Sequence, residues 1–283
     1  MTRTKSSRQL IVTADDFGAD EAVNEAVERC HVEGILTAAS LMVSAAAAAD
    51  AVARARRLPR LGVGLHLVLV EGHPTLPPEQ IPDLVDSEGR FRSDMARAGI
   101  DIFFKPWVRR QLAAEIEAQF AGFAATGLAL DHVNAHKHFH LHPTIRALVI
   151  AIGRSHGMRA MRAPVEPGAV IRAIEPGTPG IAERLAHGYA RRMQAKLRQE
   201  GIATADQTFG IAWSGSMTSA RLSALLARLP AGLSEIYLHP AISDDFANHA
   251  PDYRYRDEHC ALLDPTVIAA TAGIERGAYA DFA

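Results

Sequence analysis

Five of the chain's thirteen histidines fall in the single run Asp131-His132-Val133-Asn134-Ala135-His136-Lys137-His138-Phe139-His140-Leu141-His142-Pro143. Imidazole is the commonest metal ligand among side chains. One ion cannot use all five, so at most one or two bind it directly and the rest support ligands or touch substrate. Other groups capable of chemistry end apolar segments elsewhere: Asp15-Asp16, His66 and His239. One carboxylate and two imidazoles make a three-ligand set that leaves positions open for water. A second carboxylate beside them can take a proton from that water. Adjacent acids in extended backbone face opposite ways. That favours a division of labour, one on the metal and one on the water or a partner. Each signal alone has a plainer reading: the paired acids as a helix cap, His66 and His239 as satisfied core histidines, the tract as a polar loop. Four such groups at strand ends point instead to one site at the C-terminal edge of a parallel sheet.

The elements that must carry these groups are legible in the hydrophobic pattern. Gln9–Ala14 reads as a buried strand ending in Asp15-Asp16-Phe17-Gly18, followed by a helix capped at Asp20 with the stripe Ala22, Val23, Ala26, Val27 and Cys30. Thr37–Val43 and Leu61–Leu67 read as the next strands, with a helix over Ala45–Arg57 between them, and the third strand delivers His66. Pro74, Pro77, Pro78 and Pro82 break the pattern, so residues 71–104 read as a long irregular insertion over the site. Pro106–Thr126 is a predicted helix with Leu112, Ile116, Phe120 and Phe123 inward. Gly127–Leu130 reads as the short strand before the histidine run, and the helix after that run starts at Pro143. Strands are expected at Met158–Arg162, Ala203–Phe209 and Leu233–Leu238, the last ending in His239. Helices are expected at Ile181–Gln199, Ser219–Leu229 and Leu262–Ala272, and an eighth strand is hard to find. Strand-helix alternation from end to end predicts a single α/β domain, residues 1–283, with a mainly parallel sheet.

Composition narrows the function classes. Thirty Lys+Arg against 32 Asp+Glu leave a net charge of -2, which is no footprint for nucleic acid. Two cysteines, Cys30 and Cys260, make no disulfide framework, and a reducing compartment is expected. No apolar run precedes Leu10, so no signal peptide is expected, and no stretch reaches the ~20 residues of a transmembrane helix. The oligomeric state stays open, a homodimer included.

Four segments together resemble the YdjC/ChbG-type carbohydrate deacetylases: Leu10–Gly18, Gly64-Leu65-His66, His132–His140 and Leu238-His239-Pro240-Ala241. Glu33–Val43 and Val133–His138 most resemble the hopanoid biosynthesis-associated branch of that family. The resemblance implies a distorted, incomplete (β/α) barrel of the polysaccharide-deacetylase type and one divalent metal ion, Zn²⁺ or Mg²⁺. Carried over position by position, it puts Asp16, His66 and His136 on the metal, Asp15 as general base and His239 as general acid. Thr13 stands where relatives often have Asn. Arg162, at a strand end, reads either as a brace for Asp15 or as a plain surface or core-edge arginine. His138 and His140 read as support or substrate contacts. The implied reaction is hydrolysis of the acetamide of an N-acetylated amino sugar, expected to be the N-acetylglucosaminyl headgroup of a hopanoid, in the cytoplasm at the inner membrane surface. Phe91, Phe103, Phe104 and Trp107 either pack as a satellite core or line the mouth for an apolar aglycone. The competing readings are a chitooligosaccharide deacetylase, a non-haem iron oxygenase with the same two-histidine, one-carboxylate set, and a non-catalytic metal- or glycan-binding module.

Overall fold

A computed structural model describes residues 7–177 and 181–283. The apolar run after Ser7 forms the central strand β1, Arg8–Phe17. Helix α1, Glu21–Val32, follows, with Asp20 accepting from the Ala22 N–H at its N-terminus. Then come β2 (Ala38–Leu41), α2 (Ala48–Ala55) and β3 (Gly62–Leu67). After the proline-rich stretch, α3 (Met95–Phe104) runs into α4 (Pro106–Ala125). Strand β4 is Val133–Ala135, followed by α5 (Pro143–Ser155), α6 (Gly168–Ile174) and α7 (Ile181–Gln199). The chain closes with β5 (Gln207–Phe209), α8 (Ser219–Leu226), β6 (Gly232–Leu238), α9 (Tyr255–Leu263), α10 (Pro265–Ala270), β7 (Glu275–Arg276) and α11 (Tyr279–Phe282).

The strands are parallel in the order β4-β3-β2-β1-β6-β5, with β7 appended to the start of β1. Isolated bridges join the two edges: Val133 to Met161, and Ala160 to Ala203, in the segment leading to β5. The result is a single α/β domain with a curled, incompletely closed barrel. Alternation along the strands sorts side chains into two environments. Leu10, Val12 and Ala14 pack outward into the main core with Val23 and Val27 of α1 and with Leu112, Ile116 and Phe120 of α4. Each fully buried Val, Leu, Ile or Phe among them contributes about 1.5–3 kcal/mol relative to exposure. Ile11, Ala38, Ala160, Ala205, Leu233 and Tyr279 form a second, small cluster inside one end of the barrel. Above this plug the barrel interior is polar, and that column carries the site.

Several expected elements differ. Gly127–Leu130 is not a strand: Gly127 takes a left-handed φ of 72° just past α4, and pairing is delayed to residues 133–135, inside the histidine run itself. Met158–Arg162 contributes only bridges at Ala160 and Met161, and Ala203–Phe209 shortens to β5 plus a bridge at Ala203. The last ten residues of the stretch read as irregular are helix α3, where the prolines have ended and Asp94 caps the Arg97 N–H. The expected helix over Leu262–Ala272 is two helices broken at Asp264-Pro265, because proline cannot continue the first. Residues 178–180, between α6 and α7, lie outside the described residues.

Candidate active site

β1 ends in a distortion. Its register with β2 shifts between Ala14 and Phe17, and Asp16 adopts φ 61°, a left-handed conformation unusual for a non-glycine residue. The bulge separates the two acids. Asp15 stays in the barrel, 2% exposed, while Asp16 turns toward the histidines.

Asp16 Oδ1 lies 3.2 Å from His66 Nε2 and 3.5 Å from His136 Nδ1. The three residues offer ligand atoms all within 4.8 Å of one another. Neither Asp16 Oδ1 nor His66 Nε2 has an aligned hydrogen bond, although both atoms are buried. Two orphaned acceptor-capable atoms converging with a third ligand atom fit a divalent ion. Burial alone would raise the Asp16 pKa, but the adjoining His136 and His66 rings outweigh it and hold the carboxyl well below its usual range.

The tautomer of His66 follows from its neighbours. Asp15 only accepts hydrogen bonds, so the Asn134 amide must turn its Nδ2 toward Asp15 Oδ1, at 2.9 Å. Asn134 Oδ1 then faces His66 Nδ1 at 2.7 Å, which must carry the proton. In the neutral ring, the form that can bind a metal, the lone pair of His66 is then left on Nε2, on the Asp16 side.

Asp15 is gripped by Arg162, which is fully buried. Arg162 Nη1 donates to Asp15 Oδ2 at 2.5 Å and Nη2 to Oδ1 at 3.0 Å. The other edge of the guanidinium donates to Glu235, which also accepts from Thr13 Oγ1 and the Tyr279 hydroxyl. Thr13 is thus one of the donors that hold Glu235. Burial would raise the Asp15 pKa, but Arg162, with smaller help from His66 and His239, holds it far below the carboxylate range. Ser40 Oγ lies 3.2 Å from Asp15 Oδ1 and 2.9 Å from His132 Nε2, and His132 Nδ1 is 2.8 Å from Asp131 Oδ2. Asp131 in turn accepts the Tyr279 and Ala280 N–H groups of α11. Room for these deep groups comes from β3. A Cβ on Gly64 would meet the His132 ring at 2.5 Å, and one on Gly62 would meet the Asp131 carboxyl at 2.8 Å.

The segment His136–Leu141 is a 3₁₀ turn kinked by left-handed Lys137 and His138, which sends successive rings to different places. His136 joins Asp16. His138 Nε2 sits 3.0 Å from the Tyr237 hydroxyl, and His140 Nε2 donates to the Arg162 carbonyl at 3.1 Å. Burial first, and then the Arg162 charge, push both pKa values down, that of His140 to about 3, so both rings are neutral. His142 leaves the site and lies against α3.

His239 follows β6 and opens on the same cavity as Asp15, Asp16 and His136, a space of about 530 Å³ also bordered by Phe91 and Tyr255. Its Nδ1 is buried without a hydrogen bond, 4.0 Å from Glu258 Oε2. Glu258 accepts the His239 and Met217 backbone N–H groups, and burial pushes its pKa up to about 7. Burial also lowers the His239 pKa, against the pull of Asp16 and Asp15.

The YdjC-like protein family model matches residues 9–272. The chain belongs to that family. Among YdjC-like relatives, it is 29% identical over 281 residues to a carbohydrate deacetylase of Geobacillus stearothermophilus, covering 97% of this chain and 98% of that one. It is 40% identical over 148 residues to a carbohydrate deacetylase of Brevibacillus brevis, a match spanning 52% of this chain and 56% of that protein. A crystal structure from Enterococcus faecalis V583, of a candidate cellobiose-phosphate cleavage protein, shares the fold with a TM-score of 0.75 at 23% identity, covering 98% of this chain and 100% of that one.

The structure therefore gathers all five expected site residues, Asp15, Asp16, His66, His136 and His239, at one end of the barrel. Arg162 proves to be the buried brace, not a core-edge residue. Sequence reading missed Asn134, Ser40, Glu235, Tyr237, Glu258 and the pair Asp131-His132. A period-two signal could have found several: 132, 134 and 136 alternate along one strand, as do 235, 237 and 239 along another.

Proposed function

We propose that this chain is a metal-dependent carbohydrate N-deacetylase, hydrolysing the acetamide of an N-acetylated amino sugar carried on a hopanoid lipid. The observation that carries the reading is the pair of adjacent acids split by the β1 bulge. Asp16 goes to the two imidazoles, and Asp15, locked on Arg162, borders the same cavity as His239. The relatives' names support the carbohydrate deacetylase class.

Asp16, His66 and His136 would hold one divalent ion, and two imidazoles suit Zn²⁺ better than Mg²⁺. Such an ion supplies a Lewis acid that polarises a carbonyl and acidifies water. Asp15, ionised throughout the neutral range, accepts the proton of the attacking water. Arg162 and Asn134 fix the direction of its lone pairs. The amine leaves poorly unless protonated, and His239, on the wall of the same cavity, would deliver a proton to its nitrogen from the imidazolium form and return to the neutral ring.

The aglycone assignment is supported by a second, apolar groove of about 720 Å³ beside the cavity. Met95, Ile100, Phe103, Phe104 and Phe139 line it together with Lys137 and His138, which follow the cavity residue His136 in the chain. Phe91 does not join them: it is 3% exposed and packs in the main core. No helix among the described residues is long and apolar enough to cross a membrane. The reading has the enzyme in the cytoplasm, meeting its lipid at the inner membrane surface.

The test compares acetate release from an N-acetylglucosaminyl hopanoid, free N-acetylglucosamine and a chitin disaccharide. The lipid-linked sugar should show the highest kcat/KM, since remote contacts lend binding energy to the reacting end. Preference for the disaccharide would remove the hopanoid and keep the deacetylase. Metal binding with no acetate release from any of the three would favour a binding module.

A further inference from the structure

Helix α3 is apolar on two sides. Gly99 and Ile102 face the protein, with Gly99 close to His142 and Phe139. A second stripe, Ala96, Ile100 and Phe103, follows the helical spacing i, i+4, i+7 beside the first, and Trp107 stands in the first turn of α4, past the extended Lys105. Ile100 is 59% exposed, Phe103 50%, Phe104 71% and Trp107 48%. Single exposed apolar side chains are ordinary, but clusters mark contact surfaces. With Met95, five of the seven exposed large apolar side chains among the described residues lie between residues 95 and 107.

The same corner concentrates positive charge in a chain whose net charge is -2. Between residues 92 and 110 stand Arg92, Arg97, Lys105, Arg109 and Arg110 against Asp94 and Asp101. Both carboxylates are already engaged. Asp94 caps α3, and Asp101 pairs with Lys105 at 2.7 Å and Arg92 at 3.7 Å. Arg97 lies three and seven residues from Ile100 and Phe104, and Arg110 three from Trp107, so both exposed arginines flank the apolar stripe.

We infer that the α3–α4 corner is a membrane-docking surface. Phe103, Phe104 and Trp107 enter the headgroup–acyl boundary of a bilayer, and Arg97 and Arg110 meet its anionic headgroups. An apolar tip ringed by cations suits that interface, where tryptophan partitions readily and each basic residue adds attraction. A two-fold copy of this chain fits the surface less well, because it would set the same arginines against one another. Docked this way, the groove of α3 opens at lipid depth, with Lys137 and His138 of its lining next in sequence to the cavity residue His136. The inference rests on the lipid-linked reading for its purpose, but not for its measurement.

Tryptophan fluorescence of the full chain reads the contact directly. Trp107 is exposed and Trp213 is 4% exposed, so a change of environment on docking is reported by Trp107. Vesicles of phosphatidylcholine with phosphatidylglycerol should shift the emission to the blue and carry the protein up in a flotation gradient. Pure phosphatidylcholine vesicles should do so far less, and added salt should reverse the effect. Trp107→Phe should lose the shift and keep flotation. The double variant R97E/R110E keeps the reporter and should partition roughly tenfold or more weakly, with unchanged acetate release from a soluble N-acetylated sugar. Absence of binding to anionic vesicles, or equal binding by R97E/R110E, would overturn the inference. So would a dimer in which Trp107 is already blue-shifted without lipid. A chain that docks but prefers the soluble disaccharide loses only the lipid-linked substrate. A chain that deacetylates the lipid-linked sugar in detergent but ignores vesicles loses only the docking surface.

Discussion

Asp15→Asn is the substitution that separates the chemical from the structural work of the buried acid. Asp15 accepts from Arg162 Nη1 and Nη2, Asn134 Nδ2 and Ser40. An asparagine keeps the shape but turns one oxygen into a donor. Whichever way the amide faces, an N–H meets another N–H: that of Arg162 Nη1 on one side, or those of Nη2 and Asn134 on the other. At least one charge-assisted bond is lost, at about 1.5–3 kcal/mol, and Arg162 keeps only Glu235 as counter-ion. Removing a partner from a buried pair costs about 3–5 kcal/mol, so a destabilisation of about 3 kcal/mol is expected. For a domain of this size that lowers Tm by roughly 6 °C. The folded pKa of Asp15 is depressed, so its stabilisation is complete above the unfolded value of ~3.9 and is lost only as pH falls toward the folded one. The gap between wild type and variant should therefore be constant from neutral pH down to about 5 and close in stronger acid. Turnover should fall roughly 10²–10⁴-fold with metal content intact, because a neutral amide cannot take the proton from water. Urea melts across pH, metal analysis and acetate release on the same preparations give the three readouts. Unchanged melting would refute the Arg162 grip, and near-normal kcat in a metal-replete variant would reduce Asp15 to a structural residue.

Asn134→Ala should free the His66 ring and weaken metal affinity roughly 10–100-fold, as measured by competition with a chromogenic chelator; unchanged affinity would refute the tautomer argument. His136→Ala should lower metal content together with activity, and full occupancy would remove His136 from the ligand set. His239→Gln should retain metal and fold, and an activated aryl acetate, whose leaving group needs no proton, should be turned over with a smaller defect than the sugar amide. Equal defects on both would exclude the general-acid role. The neutral, buried His138 and His140 have folded pKa values below the unfolded ~6.5, so the unfolded chain binds protons first and stability drops as pH falls below that value. Between about pH 6 and 4 His140 contributes a slope of ~1.4 kcal/mol per pH unit and His138 adds a slope of the same sign, and His140→Gln should remove its share from a plot of urea midpoint against pH.

The parts of the fold set by long-range hydrophobic periodicity were legible in the sequence. The stripes of α1 and α4 face inward as their spacing predicts, and the strands delivering Asp15, His66 and His239 stand where apolar runs placed them. The segments that close the barrel were found but drawn too long: of the strands expected at Met158–Arg162 and Ala203–Phe209, single bridges at Ala160, Met161 and Ala203 and the short β5 are what form. The strand of the histidine run was hidden: its inward positions are His132 and Asn134, so polarity disguised a buried strand as a loop. Arg162 and Glu235 were ambiguous for the same cause, since buried charge looks like surface charge until its partner is located. The β1 bulge left no local mark, because Asp16 is held at positive φ by its surroundings and not by a glycine.

The two glycines of β3 show how far the site extends. They touch no part of the cavity, yet the space they leave admits His132 and Asp131, which link Asp15 through Ser40 to the backbone of α11. The reactive end of the barrel and the end where the chain folds shut are thus one hydrogen-bonded object. Copying the visible rim, Asp15 through His239, onto another barrel would transplant ligands without the floor that orients them. Conversely, a methyl group added at residue 64, on the far side of the barrel interior, belongs among the changes to be screened when activity is lost with every rim residue in place.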